Sequence, residues 1–246
     1  MALSGGIALI RVFVNGASGK MGQATVKAVQ DDPALQIVGQ AGSNDALLKL
    51  IRESQADVVV DFTLATVGFQ NACTIIEAGA RPVIGTSGIT ADQVKALTER
   101  CAQKKLGGII APNFAIGAVL MMKYAQDAAR YLPDAEIIEM HHPRKIDAPS
   151  GTALRTAEMM AEMRNTAKMS TQQAPSRGMQ HHGIPIHAVR LPGLIARQSV
   201  ILGGLGQTLT LEHNTLDREA FMPGVCLACQ KVMGLNQLVY GLEHIL

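Results

Sequence analysis

Residues 16–22, GASGKMG, form the stretch from which the fold of the first half can be predicted. An apolar run at residues 8–14 precedes them and predicts a strand, while residues 20–30 have the spacing of a helix. A glycine-rich turn in this position lets a pyrophosphate approach the helix N-terminus, and a tight turn without a ligand is the alternative. The spacing is GxxGxxG, which is less specific than GxGxxG. A Walker A loop is excluded, because Met21 replaces its Ser or Thr and Val14 replaces its first glycine.

Short apolar segments alternate with longer amphipathic segments as far as residue 111, which is the pattern of βαβ units around a parallel sheet. The segment ADVVVD contains an unbroken apolar run, as in a strand that is buried on both faces. We therefore expect a Rossmann-like parallel-sheet domain. Its predicted strands are residues 8–14, 35–41, 56–61, 81–85 and 106–111, and its predicted helices are residues 20–30, 46–53, 66–78 and 90–105.

The pattern changes after residue 111 and predicts an α+β domain with a mixed or antiparallel sheet. Its first helix, residues 116–131, is apolar on nearly every side, so we expect it to be buried between layers. Residues 165–183 are mostly polar, which predicts an exposed loop. The other elements are a strand at residues 135–140, a helix ending near residue 164, antiparallel strands at residues 184–190, 196–202 and 207–213, and a helix at residues 217–233. We expect residues 1–115 plus 220–246 to form one domain and residues 116–219 the other.

Residues 139–152, EMHHPRKIDAPSGT, place two histidines, an arginine and a lysine within five positions. The segment connects a predicted strand to a predicted helix, so this basic cluster lies on a strand-to-helix loop. The backbone N–H groups of Gly151 and Thr152 would be helix-start donors, able to bind an anion that the basic cluster also attracts. The sequence therefore predicts a site for a small, negatively charged ligand. The alternative is a solvated basic turn followed by a helix N-cap at Ser150.

Four of the seven histidines form two adjacent pairs, His141-His142 and His181-His182. An imidazole can exchange a proton near neutral pH, which suits a proton transfer coupled to hydride delivery, and His141 or His142 can supply it. Neighbouring residues of an extended chain point to opposite faces, so we expect no metal site at either pair. The pair His181-His182 is expected on the surface, beside the polar loop.

The four cysteines predict buried thiols and not a disulfide framework. Cys226 and Cys229 have CxxC spacing, but they stand inside a helical apolar pattern. No second ligand pair for zinc lies at a suitable spacing in the sequence. We therefore expect these thiols in the core.

Two further predicted strands end in small polar loops, DFT at residues 61–63 and GTSG at residues 85–88. Both loops fall at the edge where open α/β sheets bind ligands. The acidic residue that reads the ribose of NAD is expected about twenty residues after the glycine loop, but the tip of the second strand has none. A 2′-phosphate could instead be bound by Ser43, Asn44 and Lys20. NADPH is therefore at least as plausible a cofactor as NADH.

Composition argues against nucleic-acid and membrane partners. The formal net charge is +2, the pI is about 8.4, and 3% of the residues are aromatic, so neither a long basic face nor a base-stacking platform is expected. No apolar run reaches the length of about 18 residues that spans a bilayer. Arg11 interrupts the opening apolar run, which favours a strand over a signal peptide. Hydrophobic residues make up 48% of the chain, enough for a sizeable core, and we expect a soluble, cytoplasmic protein.

Five motifs, in this order along the chain, resemble one enzyme family. They are GASGKMG after the first strand, DFT after the third, GTSG after the fourth, APNFAIG at the domain junction, and EMHHPRKIDAPSGTA. The chain resembles the bacterial dihydrodipicolinate reductases, now called 4-hydroxy-tetrahydrodipicolinate reductases, of lysine and diaminopimelate synthesis. The resemblance runs from Gly16 to about Phe221, and the last motif is its most specific part.

The resemblance implies a Rossmann-like domain, an α+β domain for substrate contacts and tetramer formation, and reduction of a cyclic dicarboxylate imine by NADPH or NADH. His141 would donate or accept a proton, and Lys145 would protonate the product or stabilise developing charge. The substrate carboxylates would contact His142, Lys145, Ser150, Gly151 and Thr152. The cofactor would be lined by Gly16, Ala17, Ser18, Gly19, Lys20, Met21, Gly85, Thr86, Ser87, Ala111, Pro112, Asn113 and Phe114. Ser43, which could bind a 2′-phosphate, would also contact the cofactor.

The chain departs from the family pattern at Lys20, where arginine is usual, at Ser87, where threonine is usual, and in a shorter segment over residues 41–56. These differences bear on the cofactor preference and not on the reaction class. One rival function is another Rossmann-type dehydrogenase acting on a small carboxylate, which has no reason to keep Lys145 at this spacing from the Ser-Gly-Thr turn. The other is a non-catalytic NAD(P)-sensing module, which would be free to lose His141 and Lys145.

Overall fold

The computed structural model describes residues 8–42, 46–164 and 174–246. The chain divides into two compact units, one formed by Met1–Phe114 with Phe221–Leu246 and the other by Ala115–Ala220. The strands are β1 (Ile10–Asn15), β2 (Leu35–Ala41), β3 (Val58–Asp61), β4 (Arg81–Ile84), β5 (Gly108–Ile110), β6 (Asp134–His141), β7 (Met179–His181), β8 (Ile184–Arg190), β9 (Ala196–Gly204), β10 (Gln207–Thr215) and β11 (Leu238–Tyr240). The helices are α1 (Lys20–Asp31), α2 (Leu47–Ser54), α3 (Ala65–Ala78), α4 (Ala91–Lys104), α5 (Ile116–Ala128), α6 (Gly151–Met163) and α7 (Met222–Lys231). None of the described helices is long and apolar enough to cross a membrane.

The first unit contains a six-stranded parallel sheet in the order β11-β5-β4-β3-β1-β2. Val12, Val14, Val58, Val59 and Val60 have no exposed surface, as expected for parallel strands covered on both faces. The next two strands of the chain lie on opposite sides of β1, so the strand order reverses between β1 and β3. Open α/β sheets bind ligands at the carboxyl edge beside such a reversal. The predicted Rossmann-like sheet is confirmed.

The sixth strand, β11, lies in the tail of the chain, where the sequence predicted no element. It pairs in parallel with β5, with Leu238 opposite Gly108. Leu238 is 5% exposed and belongs to the same hydrophobic core cluster as Ile110. A strand of three residues is too short to show a hydrophobic period, so the sequence pattern did not reveal it.

The second unit contains a five-stranded mixed sheet in the order β10-β9-β6-β8-β7. The pair β6–β8 is parallel, and the other three pairs are antiparallel. The predicted mixed-sheet domain is confirmed. Both helices pack on one face of the sheet, in a core that includes Met121, Ile137, Met160, Ile186 and Val200.

Two details of the second unit correct the sequence prediction. The segment predicted as a loop contains β7, which pairs antiparallel with β8; residues 165–173 of that segment lie outside the described residues. Helix α5 ends at Ala128, and it is not buried on nearly every side, because Tyr124 is 58% exposed and Asp127 is exposed. Met121, Met122 and Ala125 of this helix pack in the core against the sheet.

The geometry of the pair His181-His182 also differs from the expectation. His181 is the last residue of β7, and His182 has a φ of 50°, in the left-handed region. The two rings therefore do not alternate across the strand, and their centroids lie 4.5 Å apart. The expectation assumed an extended backbone, and the chain leaves that conformation at His182.

The cysteines occupy the core as predicted. Cys101, Cys226 and Cys229 are buried, Cys73 is half-buried, and all four are free thiols. Burial raises the pKa of the Cys101 and Cys226 thiols to about 11, so both are protonated at neutral pH.

Candidate active site

Glu139 and His141 lie on the same face of β6, because side chains alternate along a strand. The Glu139 side chain is fully buried, and its Oε2 lies 2.6 Å from Nδ1 of His141, whose side chain is 15% exposed. A carboxylate can only accept a hydrogen bond, so Nδ1 of His141 carries the proton and donates it. This tautomer leaves Nε2 as the ring nitrogen that can exchange a proton with a ligand.

Arg190 holds this pair in place from the neighbouring strand. The parallel register of β6 and β8 sets Arg190 opposite His141. Its Nη1 and Nη2 donate to the two carboxylate oxygens of Glu139, each at 2.8 Å, as a bidentate pair. Its other hydrogen bonds go to the backbone carbonyls of Lys145, Asp147 and Val189. The guanidinium therefore uses all five of its N–H donors, and it fixes both the carboxylate and the following loop.

These contacts set the charge of the buried carboxylate. Burial by itself raises the pKa of Glu139, but the hydrogen bonds from His141 and Arg190 outweigh it and lower the pKa to about 2. The hydrogen bond to Glu139 also raises the pKa of Arg190. Glu139 is therefore ionised at neutral pH and remains an acceptor for His141.

The loop after β6 carries the predicted substrate-binding lysine. Lys145 is 23% exposed in its side chain, and its Nζ lies 2.8 Å from Oδ2 of Asp147. Partial burial raises the pKa of Asp147, but the hydrogen bond and the charge of Lys145, with smaller contributions from the Asp147 backbone and Arg190, together outweigh it and lower the pKa. Nδ1 of His142 is buried and has no hydrogen-bond partner among the described residues. The loop thus holds a cationic group and an unsatisfied polar atom close to His141 along the chain.

Helix α6 begins where this loop ends. Ser150 is its N-cap, and the buried Ser150 hydroxyl accepts a hydrogen bond from the Ala153 N–H at 3.2 Å. The Ser150 N–H donates to Oε1 of Glu139 at 3.1 Å, which attaches the helix start to the carboxylate. The first turn has no acidic residue, so no side chain there offsets the positive end of the helix dipole. A Cβ added at Gly151 would meet no atom of the described chain within 4 Å.

The second unit therefore brings the residues predicted for substrate and proton transfer onto one strand end, one loop and one helix start. A ring nitrogen that can transfer a proton, a cationic side chain and helix-start donors suit an anionic substrate that gains a proton. Sequence reasoning missed Glu139 and Arg190. The spacing of two between Glu139 and His141 could have identified the first, but Arg190 required the strand register.

In the first unit, the predicted cofactor residues follow the carboxyl ends of neighbouring strands. The glycine loop follows β1, and α1 starts at its Gly19 N-cap with no side-chain cap among the described residues and no acidic residue in its first turn. Gly16 has a φ of 81°, and a Cβ there would lie 2.6 Å from the Phe62 carbonyl oxygen. A Cβ at Gly22 would lie 2.1 Å from the Gly16 oxygen. The outer two glycines are thus required by packing, while the helix start fits a pyrophosphate.

The other predicted cofactor residues follow β4 and β5. Gly85, Thr86 and Ser87 follow β4, while Ala111, Pro112, Asn113 and Phe114 follow β5. The Ala111 N–H donates to the Ile84 carbonyl at 3.0 Å, which joins these two loops. The rings of Phe62 and Phe114 meet edge to face, with centroids 5.7 Å apart. Ala17 and Ser18 lie in the glycine loop, Lys20 and Met21 begin α1, and Ser43 and Asn44 lie outside the described residues.

Asp61, at the end of β3, connects several residues at the carboxyl edge of the parallel sheet, and its partners there are neutral groups. Its buried carboxylate accepts hydrogen bonds from Asn15 Nδ2 at 2.7 Å, Asn71 Nδ2 at 3.0 Å and Thr63 Oγ1 at 2.8 Å, and also from the Thr86 hydroxyl. These donors come from the end of β1, from the loops after β3 and β4, and from α3. The DFT and GTSG motifs are thus connected through one carboxylate.

Comparisons with known proteins agree across the whole chain. The family model described as "Dihydrodipicolinate reductase, N-terminus" matches residues 10–114, and that described as "Dihydrodipicolinate reductase, C-terminus" matches residues 117–246. The 4-hydroxy-tetrahydrodipicolinate reductase of Coxiella burnetii (strain RSA 493 / Nine Mile phase I) is 53% identical over 237 residues, which cover 96% of this chain and 99% of the relative. That of Legionella pneumophila (strain Lens) is 50% identical over 240 residues, with the same coverage of 96% and 99%.

Solved structures give the same result. The dipicolinate-bound dihydrodipicolinate reductase from Paenisporosarcina sp. TG-14 superposes with a TM-score of 0.86 at 43% identity, covering 97% of this chain and 100% of that chain. A probable dehydrogenase from Thermotoga maritima, at 9% identity and a TM-score of 0.65, shares the fold alone. The family models cover nearly all of the chain and the relatives are similar over their full length, so the chain belongs to the dihydrodipicolinate reductase family.

Proposed function

We propose that the protein reduces 4-hydroxy-tetrahydrodipicolinate to tetrahydrodipicolinate in lysine and diaminopimelate synthesis, with NADPH or NADH as the reductant. Membership of the family supports the reaction. The observation that carries the site assignment is the fully buried Glu139, which fixes the tautomer of His141 beside the start of α6. We assign the substrate to residues 116–219 and the dinucleotide to residues 1–115 plus 220–246.

The substrate carboxylates bind at the start of α6 in this proposal. The backbone of Gly151 and Thr152 and the Ser150 turn supply donors, and the helix dipole favours negative charge there. Nδ1 of His142, buried without a partner among the described residues, gains an acceptor from the substrate. Lys145 exchanges its contact with Asp147 for a substrate carboxylate or for the charge that develops during reduction.

The proton comes from Nε2 of His141. When bound, the nicotinamide supplies the hydride; the overall reaction also consumes one proton and releases the 4-hydroxyl group of the substrate as water. Glu139 accepts the Nδ1 proton of His141 in a hydrogen bond, so Nε2 is the ring nitrogen that transfers a proton to the substrate. Glu139 does not touch the substrate in this scheme and acts as a positioning residue. Lys145 is the second catalytic residue.

The dinucleotide is held by the residues of the first unit. The glycine loop and the start of α1 contact the pyrophosphate, and the loops with Gly85–Ser87 and Ala111–Phe114 line the remainder. The uncapped, acid-free start of α1 supports this assignment. Ser43, Asn44 and Lys20 could bind a 2′-phosphate, so we expect the protein to accept NADPH at least as readily as NADH.

The assembly we propose is a homotetramer built through the second unit. Both of its helices pack on the sheet face that carries Ile137, Val200 and Leu202. The opposite face carries the half-buried Ile138, Met140 and Ile201, and no described helix of this unit packs on it. Apolar side chains on an uncovered sheet face favour association with a second copy. The free thiols suit a reducing compartment, and we propose that the enzyme acts in the cytoplasm.

A coupled assay tests the proposed reaction. The substrate is generated from pyruvate and aspartate semialdehyde by the preceding synthase, and the loss of NADPH and NADH is followed in parallel. We expect turnover by the wild type and a fall in kcat of about 100-fold or more in Lys145→Ala. Lys27→Ala is the matched control, because Lys27 forms an exposed ion pair with Asp31 at the same N–O distance of 2.8 Å. A folded protein that oxidises neither cofactor would refute the reductase function and favour an NAD(P) sensor.

A further inference from the structure

Three side chains with metal-binding atoms converge in the second unit, outside the residues assigned to catalysis. They are Glu158 on α6, His181 at the end of β7 and His182 in the turn that follows. Their ligand atoms all lie within 4.8 Å of one another, and Nε2 of His181 is 3.4 Å from Oε1 of Glu158. Glu158 and His181 are half-buried and His182 is exposed, and the three ligand atoms are close enough together to hold one ion.

The backbone creates this convergence. On an extended strand, two adjacent histidines point to opposite faces. His182 has a φ of 50°, and this turn directs its ring to the same side as that of His181. Glu158 approaches from α6, which packs against β7. A non-glycine residue in the left-handed region is uncommon, and here it brings two imidazoles together.

We propose that Glu158, His181 and His182 form a binding site for a divalent transition metal ion, with Zn²⁺ as the best match. Two imidazole nitrogens and one carboxylate oxygen are the donor set that Zn²⁺ accepts, with a fourth tetrahedral position open to water. Alkaline-earth ions prefer sites built mostly from oxygen ligands, so Ca²⁺ and Mg²⁺ fit poorly.

Arg155 is a positively charged neighbour whose charge disfavours the binding of a metal cation. Its Nη1 lies 3.4 Å from Oε2 of Glu158 and 4.0 Å from Oε1 of Glu162. Arg155 therefore contacts the oxygen of Glu158 that does not face His181, and Oε1 stays available to the metal. The guanidinium charge still opposes a cation, and the Glu158 side chain is 40% exposed. We expect an affinity well below that of closed structural zinc sites.

The site is separate from the active site. The register sets His181 opposite Ile184, at the start of β8, and His141 opposite Arg190, at its end. Ile184 and Arg190 are six residues apart along β8, so His181 and His141 are separated by about 20 Å along the strand direction. The metal would link α6 to β7, which is a three-residue edge strand. Through its ligands Glu158 and His181, it would cross-link two points of the chain and so close a loop. Its expected effect is on the stability of the second unit.

Isothermal titration of metal-free protein with Zn²⁺ tests the proposal. We expect the wild type to bind one Zn²⁺ per chain, and we expect His182→Ala and Glu158→Gln each to weaken this binding about tenfold or more. His182 is exposed, so His182→Ala should fold normally even if His181→Ala does not. Binding should also weaken from pH 7.5 to pH 5.5, because protonated imidazoles do not bind metals. Zn²⁺ should raise the melting temperature of the wild type but not that of His182→Ala.

The other adjacent histidine pair supplies the control. A double variant, His141→Ala with His142→Ala, should bind Zn²⁺ as tightly as the wild type. Three results would each refute the site: no binding of Zn²⁺ at a concentration of about 0.1 mM, binding that His182→Ala and Glu158→Gln leave unchanged, and binding lost in the His141/His142 double variant. None of these measurements depends on reductase activity, so the proposal can fail while the proposed function stands.

Discussion

Glu139 accepts hydrogen bonds from His141, Arg190 and Ser150, and all three partners are donors. In Glu139→Gln, the amide group would face at least one of these donors with its own N–H, and the charge that compensates Arg190 would be lost. We expect the free energy of unfolding to fall by about 3 to 5 kcal/mol, as for other broken buried pairs. We expect kcat to fall about 100-fold or more, because His141 loses the acceptor that fixes its tautomer. Urea unfolding and steady-state kinetics measure the two effects.

Glu136→Gln is the matched control for this change. Glu136 lies on the same strand, but it pairs with Arg177 and His187 and is partly exposed. We expect Glu136→Gln to leave kcat unchanged. A wild-type kcat in Glu139→Gln, or equal losses in both variants, would show that Glu139 does not position His141.

The pKa of Glu139 also predicts how stability depends on pH. The folded pKa is about 2 and the ordinary value is 4.5, so the carboxylate stabilises the folded state fully above about pH 4.5. This contribution, on the order of 3 kcal/mol, is lost as the pH falls through 2. We therefore expect the stability difference between wild type and Glu139→Gln to be constant from pH 7 to about 5 and to shrink in more acidic solution. A difference that grows with acid would contradict the assignment.

A substitution at Gly151 should change substrate binding without changing the stability of the fold. A Cβ at this position meets no atom of the described chain within 4 Å, and Gly151 lies in the first turn of α6. We expect Gly151→Ala to leave the melting temperature unchanged or slightly higher, since alanine favours helix. If a substrate carboxylate packs against this backbone, the variant should raise KM by about tenfold. Gly234→Ala, at another glycine with open space, is the control. Unchanged KM in Gly151→Ala would remove Gly151 from the substrate site.

Strand β11 is one of the structural elements that the sequence pattern did not indicate, and its contribution to stability can be measured. Leu238 is 5% exposed between the sheet and α4, whereas Leu246 in the same tail is 40% exposed. We expect Leu238→Ala to lower the free energy of unfolding by about 2 to 4 kcal/mol and Leu246→Ala by much less. Urea unfolding of the two variants tests this. Equal, small losses would mean that β11 adds little to the parallel sheet.

The elements that were predicted correctly share a physical property. Strands β1 and β3 can be predicted from their own unbroken apolar runs. Helices α1 and α4 can be predicted from the helical period of their own apolar residues. Strands β7 and β11 each have three residues and exist because a neighbouring strand offers backbone partners. Their pairing is a tertiary property, and so is the parallel pairing of β6 with β8, which no local pattern distinguishes from an antiparallel one.

The same distinction applies to the active site. His141, Lys145 and the Ser150-Gly151-Thr152 turn lie within one segment, so their spacing along the chain already predicted an anion site. Arg190 lies 51 residues from Glu139, and only the strand register shows that the two form a bidentate pair. The sequence places Asp61 in a loop at the ligand-binding edge, but its carboxylate accepts hydrogen bonds from neutral donors inside the first unit. Buried networks of this kind depend on contacts between distant residues and stay invisible in a sequence pattern.

At the scale of the whole molecule, the uncovered sheet face of the second unit makes the proposed homotetramer testable. Ile201 lies on that face, between Val200 and Leu202, which point into the core. Sedimentation equilibrium should give a mass of about four times the 26.1 kDa of one chain. Ile201→Arg places a charge where a second copy would pack, so we expect it to reduce the mass to that of a dimer or monomer. Tyr131 is 83% exposed and follows α5, which packs on the opposite face of the sheet, so Tyr131→Arg should leave the mass unchanged. A monomeric wild type, or an unchanged mass in Ile201→Arg, would contradict assembly through this face.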